Sequence, residues 1–233
     1  LYNVADMLIV GNFTGSAGIS GVNIGGQITF IITNIVIGLS VGGTVVIAQY
    51  LGSGDRKGMN ESIKTLITFL FVTAIVVTVV MILLSDVFLK LMQTPEEAYG
   101  QARDYLNITI LGTIFIFGYN AFSAILRGLG DSKSPLIFVA IACVINVILD
   151  LLLVGIFDMA AGGAAFATII SQAISMIACI VYLKRKNFEF DFKLSSFRFY
   201  KERFFMLVRL GIPISVQNVI VNFSFLVLTT IAN

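Results

Sequence analysis

The chain has 233 residues, 58% of them hydrophobic and only 12% charged, with a mean hydropathy of +0.97 and a net charge of +2. Soluble domains carry roughly 25% charged residues, so this is the composition of an integral membrane protein. The absence of histidine excludes a Ser-His-Asp triad and a histidine-ligated zinc site within the chain. The two cysteines, Cys143 and Cys179, lie in apolar spans without CxxC spacing and read as packing residues.

Leu1 to Asn12 reads as the last half of a spanning helix whose beginning is absent, since it lacks an initiating Met, a basic flank and a cleavage site. Gly11 to Gly26 reads as a Gly/Ser/Asn-rich turn region. The second span runs from Gln27 to Leu51, with Gly38, Gly42 and Gly43 as close-packing positions, and Gly52 to Glu61 reads as a short loop. The third span, Thr65 to Ser85, is uncharged and featureless, which suits a peripheral, lipid-facing helix. Thr94-Pro95-Glu96-Glu97 has the composition of a helix start, and Asp86 to Asp104 is expected to form an interfacial helix. The fourth span is Tyr105 to Leu126, the fifth Leu136 to Phe157 and the sixth Gly163 to Leu183, whose Thr168, Ser171, Gln172 and Ser175 give it one polar edge. Lys184 to Arg209 interleaves basic and aromatic residues. Beside a membrane span that pattern marks an interfacial connector rather than a nucleic-acid surface, and a seventh apolar stretch, 210–233, follows it.

The fifth span holds the residue that the rest supports. Asp150 sits between an uncharged run that begins at Pro135 and another that ends at Asp158, so its carboxylate cannot easily snorkel to an interface. A charge at that depth costs about 2.5 to 3.5 kcal/mol on insertion scales and is by default functional. Asn146 lies four residues earlier, on the same helix face.

Of the fifteen Lys and Arg, all but Lys90 and Arg103 fall in the 53–64, 127–133 and 184–209 segments. The positive-inside rule places those segments in the cytoplasm. The first and fifth spans then run outward and carry Asp6 and Asp150 in their outer halves at depths that agree within roughly 3 Å, and Thr168 reaches a similar level. Two acids with amide and hydroxyl oxygens offer hard ligands for Na⁺, or a pair that shares H⁺.

Sliding the chain on itself so that Asn12 meets Asn233 aligns two span ends and suggests a second repeat beginning after the basic connector. Four motifs in order then resemble the multidrug and toxin extrusion (MATE) family: Asp6 to Gly11, Ala48 to Asp55, Leu126 to Pro135 and Gly163 to Thr168. The resemblance implies an all-α, polytopic membrane fold. The chain would be the six-helix N-lobe of a twelve-helix, two-lobe transporter, cut within the first helix and at the end of the seventh. Residues 1–183 would be the N-lobe, 184–209 a cytoplasmic inter-lobe connector and 210–233 the first span of the C-lobe. It further implies a monomeric plasma-membrane antiporter that exports organic cations in exchange for H⁺ or Na⁺, with no cofactor and no nucleic-acid partner. Asp6, Asn146, Asp150 and Thr168 would form the cation site, with Tyr2 as a switching partner and Asn120 as a fourth-helix member. In the repeat register Pro213 corresponds to a position before Leu1.

Two other functions compete. A lipid-linked oligosaccharide flippase of the same superfamily would share the topology, but such proteins usually fill their cavity with basic residues, and the membrane-depth charges here are acidic. Gly128-Leu129-Gly130-Asp131 spells the GxGD motif of intramembrane aspartyl proteases, yet Asp131 lies in a polar turn and the chain has no Tyr-Asp pair.

Overall fold

A computed structural model describes residues 2–186 and 197–232, with the side chains of Tyr2, Val219 and 222–232 outside the description. The described residues form seven helices: α1 (Tyr2–Gly52), α2 (Arg56–Leu91), α3 (Glu96–Leu111), α4 (Thr113–Gly128), α5 (Lys133–Leu153), α6 (Ala160–Arg185) and α7 (Lys201–Ala232).

The first of these is a hairpin. At Gly15 the backbone turns to φ 71° and ψ −156°, a region open essentially to glycine alone. A Cβ on Gly26 would lie 2.6 Å from the Asn3 side chain, and one on Gly11 would lie 2.7 Å from Ile19. Residues on either side of Gly15 therefore face each other, and α1 doubles back as two packed arms, 2–14 and 16–52. The turn expected over Gly11 to Gly26 is thus confined to Gly15, and the other glycines are contact points. In lipid no hydrophobic force drives helices together, so backbones that approach closely supply the packing.

Asp55 caps α2 by accepting the Gly58 N–H at 2.9 Å, which shortens the expected loop to three residues and starts the helix well before Thr65. Val72, Ile75, Val76, Val79 and Leu83 leave α2 with an exposed apolar face, as its composition leads one to expect. The interfacial helix expected before Tyr105 does not form as such. α3 buries Ala98, Ala102, Tyr105, Leu106 and Ile110, because Ala102 and Gly21 are small enough for α3 and α1 to meet at the backbone. α3 and α4 are one span bent by 47° at Gly112, where a Cβ would collide with Ile169 of α6.

α1, α2, α5 and α6 are each long and apolar enough to cross a membrane, and the bent α3–α4 pair makes a fifth such unit. With α1 counted as two arms and the bent pair as one unit, six helical units precede α7. The main core, around Val46, Ile47, Leu66, Leu70, Phe117 and Leu126, fills one end of the bundle. A smaller cluster of Val10, Val22, Tyr105, Val154, Ala161, Ala164 and Ala165 fills the other. The basic loops collect at the first end: Gly128 meets Ile47, Tyr182 and Lys186 meet Asp131, and Arg203 meets Tyr50. Gly15 and the 154–159 turn lie at the second.

Candidate functional site

Three helices converge beside the smaller cluster. Asp6 lies nine residues before Gly15 and Thr168 eight residues after the start of α6, so each is roughly 12 to 13 Å from the same end of the bundle. Asp150 comes from the last turn of α5. The run Ala160-Ala161-Gly162-Gly163-Ala164-Ala165 carries almost no side-chain bulk, and a Cβ on Gly163 would touch Leu153 at 3.2 Å. That absence of bulk lets α6 press against α5 and brings Thr168 to Asp6 and Asn146.

Asp6, Asn146 and Asp150 are fully buried and Thr168 is nearly so. The Thr168 hydroxyl donates to Asp6 Oδ2 at 3.0 Å and accepts from Asn146 Nδ2 at 3.3 Å. The Asp6 and Asp150 carboxyls are neighbours in this pocket. What the pocket lacks is donors: Asp6 Oδ1, Asn146 Oδ1 and both Asp150 oxygens are buried and receive no hydrogen bond among the described residues. Buried oxygens left this way are costly, and each requires a partner such as water, a proton or an ion. Four such oxygens, on two acids and an amide, match the ligand chemistry of a hard monovalent cation or of H⁺.

The structure adds a member that the sequence did not single out. The Tyr105 hydroxyl on α3 lies 3.3 Å from Asp6 Oδ2 and 3.2 Å from Asn3 Oδ1, so it donates to the acid or to the amide oxygen. Gly25 makes room for its ring, since a Cβ there would sit 2.7 Å from Tyr105 Cδ1. Asn120, by contrast, is not brought to the four. Its amide donates to Ile116 O at 2.8 Å within α4, and the contact of Gly112 with Ile169 sets it about 12 Å further along the bundle than Thr168. The Tyr2 side chain lies outside the described residues.

Asp131, the acid of the GxGD motif, is a turn residue. Its Oδ1 accepts the Ser134 N–H at 3.0 Å, and its Oδ2 accepts the Ser134 and Tyr182 hydroxyls, both at 2.8 Å, and Lys186 Nζ at 3.4 Å. Those donors, the Ser134 backbone N–H first among them, hold its carboxyl well below the usual carboxylate range. A carboxylate so occupied serves the turn, and no second acid is placed against it among the described residues.

The MatE family profile matches residues 1–152. A probable multidrug resistance protein of Bacillus subtilis, YpnP, is 32% identical over 100% of the chain and 52% of its own length. A probable multidrug resistance protein of Thermotoga maritima, NorM, is 29% identical over 94% of the chain and 47% of its own length. Among solved structures, a MATE crystal structure in the bent conformation superposes with a TM-score of 0.91 at 24% identity, over 100% of this chain and 52% of that one. The chain spans about half the length of the curated relatives it matches.

Proposed function

The chain belongs to the MatE family, and on that premise we propose that it forms one lobe of a cation-coupled exporter of organic cations, with the pocket of Asp6, Asn146, Asp150 and Thr168 as the coupling-ion site. Family membership makes it part of a multi-pass membrane transporter rather than an enzyme, and the multidrug-resistance names of its relatives favour drug efflux over oligosaccharide flipping. Residues 1–183 are then the N-lobe, 184–209 the connector and 210–233 the first helix of a second lobe. The basic end faces the cytoplasm of a plasma-membrane protein.

The observation that carries the proposal is the set of four donor-starved oxygens in a fully buried pocket. A ligand shifts an equilibrium between two states only by its differential affinity for them. H⁺ or Na⁺ entering this pocket cancels the repulsion of two facing carboxyls and satisfies oxygens that would otherwise remain bare. It therefore favours whichever packing of the first arm of α1 against α5 and α6 holds the oxygens closest together. When the ion leaves, the opposite packing gains. In alternating access, that change of preference would couple inward movement of the ion to outward movement of the substrate.

The test is efflux of a fluorescent organic cation from proteoliposomes containing the protein expressed from its complete reading frame, driven by an imposed H⁺ or Na⁺ gradient. We expect one gradient to drive efflux and Asp150→Asn and Asp6→Asn each to abolish the dependence on it. Efflux by Asp150→Asn at the normal rate, with its ion dependence intact, would reduce the pocket to a packing contact.

A further inference from the structure

At the end that gathers the basic loops, α7 is fastened to the rest of the chain by a cluster for which the proposed ion site has no use. Arg203, in the first turn of α7, reaches Glu61 of α2 with Nε at 3.2 Å and Nη2 at 3.1 Å from Oε2. Its Nη1 donates to the hydroxyl of Tyr50, near the end of α1, and its guanidinium carbon lies 4.6 Å from the Tyr50 ring centre. One side chain thus joins three helices.

The two charged groups are largely covered, 18% exposed for Arg203 and 17% for Glu61. At the opposite end of the bundle the Arg103–Asp86 pair has a similar separation, 3.2 Å, but is 53% and 50% exposed. The difference decides their roles. An exposed pair is screened and holds little, whereas removing one partner of a covered pair strands the other's charge.

The neighbourhood of Arg203 is built to the same end. Tyr200 N–H donates to Thr65 Oγ1 at 3.3 Å, and the Thr68 hydroxyl donates to Arg198 O at 3.3 Å. The Phe204 ring packs against Phe69 at 5.0 Å and Phe199 at 4.9 Å. Further along, a Cβ on Gly42 would lie 2.7 Å from Gly211 N and one on Gly38 2.5 Å from Ser215 N, and beside these contacts lies an apolar cavity of about 560 Å³ lined by Phe69, Phe204, Ile212 and Val216 among others. The charged fastening therefore lies at one end of α7, with close backbone contacts, the Ser215 hydroxyl on Ile35 O and the apolar cavity further along.

We infer that Arg203, Glu61 and Tyr50 form a latch that closes the basic-loop end of the bundle and must release when that end opens. The inference rests on the alternating-access reading above. Apolar helix faces in a bilayer can separate by exchanging one set of van der Waals contacts for lipid, so they do not define two discrete states. A three-way contact to a guanidinium does, because its geometry is either made or broken. All three groups lie at helix ends beside the loops, so each can be rehydrated on release. Arg203 is a positioning residue: it sets the angle of α7 and touches neither ion site nor cavity.

The test measures opening directly. In the complete protein with Cys143→Ala and Cys179→Ala, spin labels at Ser53 and Glu202, both exposed, report the separation of α1 and α7 at the latch. The unaltered latch is expected to give predominantly one short distance. Glu61→Gln and Arg203→Gln should each raise the ratio of long to short distances by about tenfold or more, the stranded partner being the cause. The exchanged pair Glu61→Arg with Arg203→Glu should return it toward the original distribution, which a merely structural lesion would not do. Tyr50→Phe keeps the ring, removes the hydroxyl and should produce a smaller opening, which also serves if Arg203→Gln does not fold. Unchanged distances in Glu61→Gln and Tyr50→Phe, or an exchanged pair as open as the single variants, would overturn the latch. Cation efflux by the parent protein, measured in parallel, separates the two ideas: unchanged distances with normal efflux defeat the latch alone, and shifted distances with no efflux in any variant defeat the transport reading alone.

Discussion

The two ends of α5 use the same side chain in opposite ways. At its start, Asp131 is crowded by donors: a backbone N–H, two hydroxyls and an ammonium converge on two oxygens. At its end, Asp150 faces another acid and receives none among the described residues, although it is the more deeply buried of the two. A carboxylate with surplus donors is finished, and it holds a turn together. One with surplus acceptors is unfinished, and its stability depends on what enters. Burial alone does not distinguish structure from function here; the ratio of donors to acceptors around the group does.

The largest effect expected from breaking this contrast is a clean separation of transport from stability. Asp150→Asn supplies an amide donor to a pocket short of donors and removes a charge from the membrane interior. The melting temperature should hold or rise while ion-driven efflux falls to background. If Asp6 and Asp150 act as a unit, as proposed, the double Asn variant should be no worse in efflux than either single one. If Asp150→Asn lowers the melting temperature as well, the pocket is already satisfied and the contrast fails.

Next in size is Tyr105→Phe. It removes the hydroxyl that steadies Asp6 Oδ2 and Asn3 Oδ1 and leaves the ring in the space that Gly25 provides. Apparent affinity for the coupling ion, read from the ion dependence of efflux, should weaken by about tenfold, as is typical when a supporting partner is lost. Unchanged ion dependence would place Tyr105 among the packing residues.

Tyr105 also marks where the sequence stops being legible. Asp6, Asn146, Asp150 and Thr168 stand out because polar groups in apolar spans are expensive, and the depth match between Asp6 and Asp150 follows from counting residues to the span ends. A tyrosine in an apolar helix carries no such signal, since its ring is at home there and only the position of its hydroxyl reveals a role. Glycine misled for a related reason. Gly11, Gly18, Gly25 and Gly26 look like a loop by composition, yet they are places where helices touch, and only Gly15 takes the positive φ of a turn. Asn120, which the family resemblance alone suggested, lies apart from the four, and its amide donates to the carbonyl one turn back.

Smaller again is the loss of the finished carboxylate. Asp131→Ala removes the acceptor for Ser134 and Tyr182 and should destabilise the protein by about 1 to 2 kcal/mol, the range for a lost cap or charged hydrogen bond. Efflux per folded molecule should be unchanged. The carboxyl titrates below its ordinary range when folded, so its contribution is complete above the unfolded carboxylate value and is lost as pH falls through the folded one. The stability gap between the parent and Asp131→Ala should therefore be flat between about pH 5 and 8 and close only in strong acid. A gap that changed near neutrality would mean that another group controls the turn.

The smallest effect belongs to Lys186. Its ammonium lies 3.4 Å from Asp131 Oδ2 and 4.9 Å from the Tyr182 ring centre, but the side chain is 57% exposed, so solvent and salt compete for it. Tyr182 first and Asp131 second push its pKa upward, so whatever it contributes is present below the ordinary lysine value and is lost as pH rises through the folded one. Lys186→Gln should leave the melting temperature unchanged at physiological salt and lower it slightly, if at all, at low salt. The comparison with Asp131→Ala is the informative one. Ser134 and Tyr182 approach the carboxylate at 2.8 Å from positions fixed by α5 and α6, whereas Lys186 reaches it on a flexible stem at a longer distance. If Lys186→Gln nonetheless destabilises as much as Asp131→Ala, then charge pairing, and not the supply of fixed donors, is what finishes that carboxylate. The distinction between the two ends of α5 would then have to be redrawn in terms of net charge.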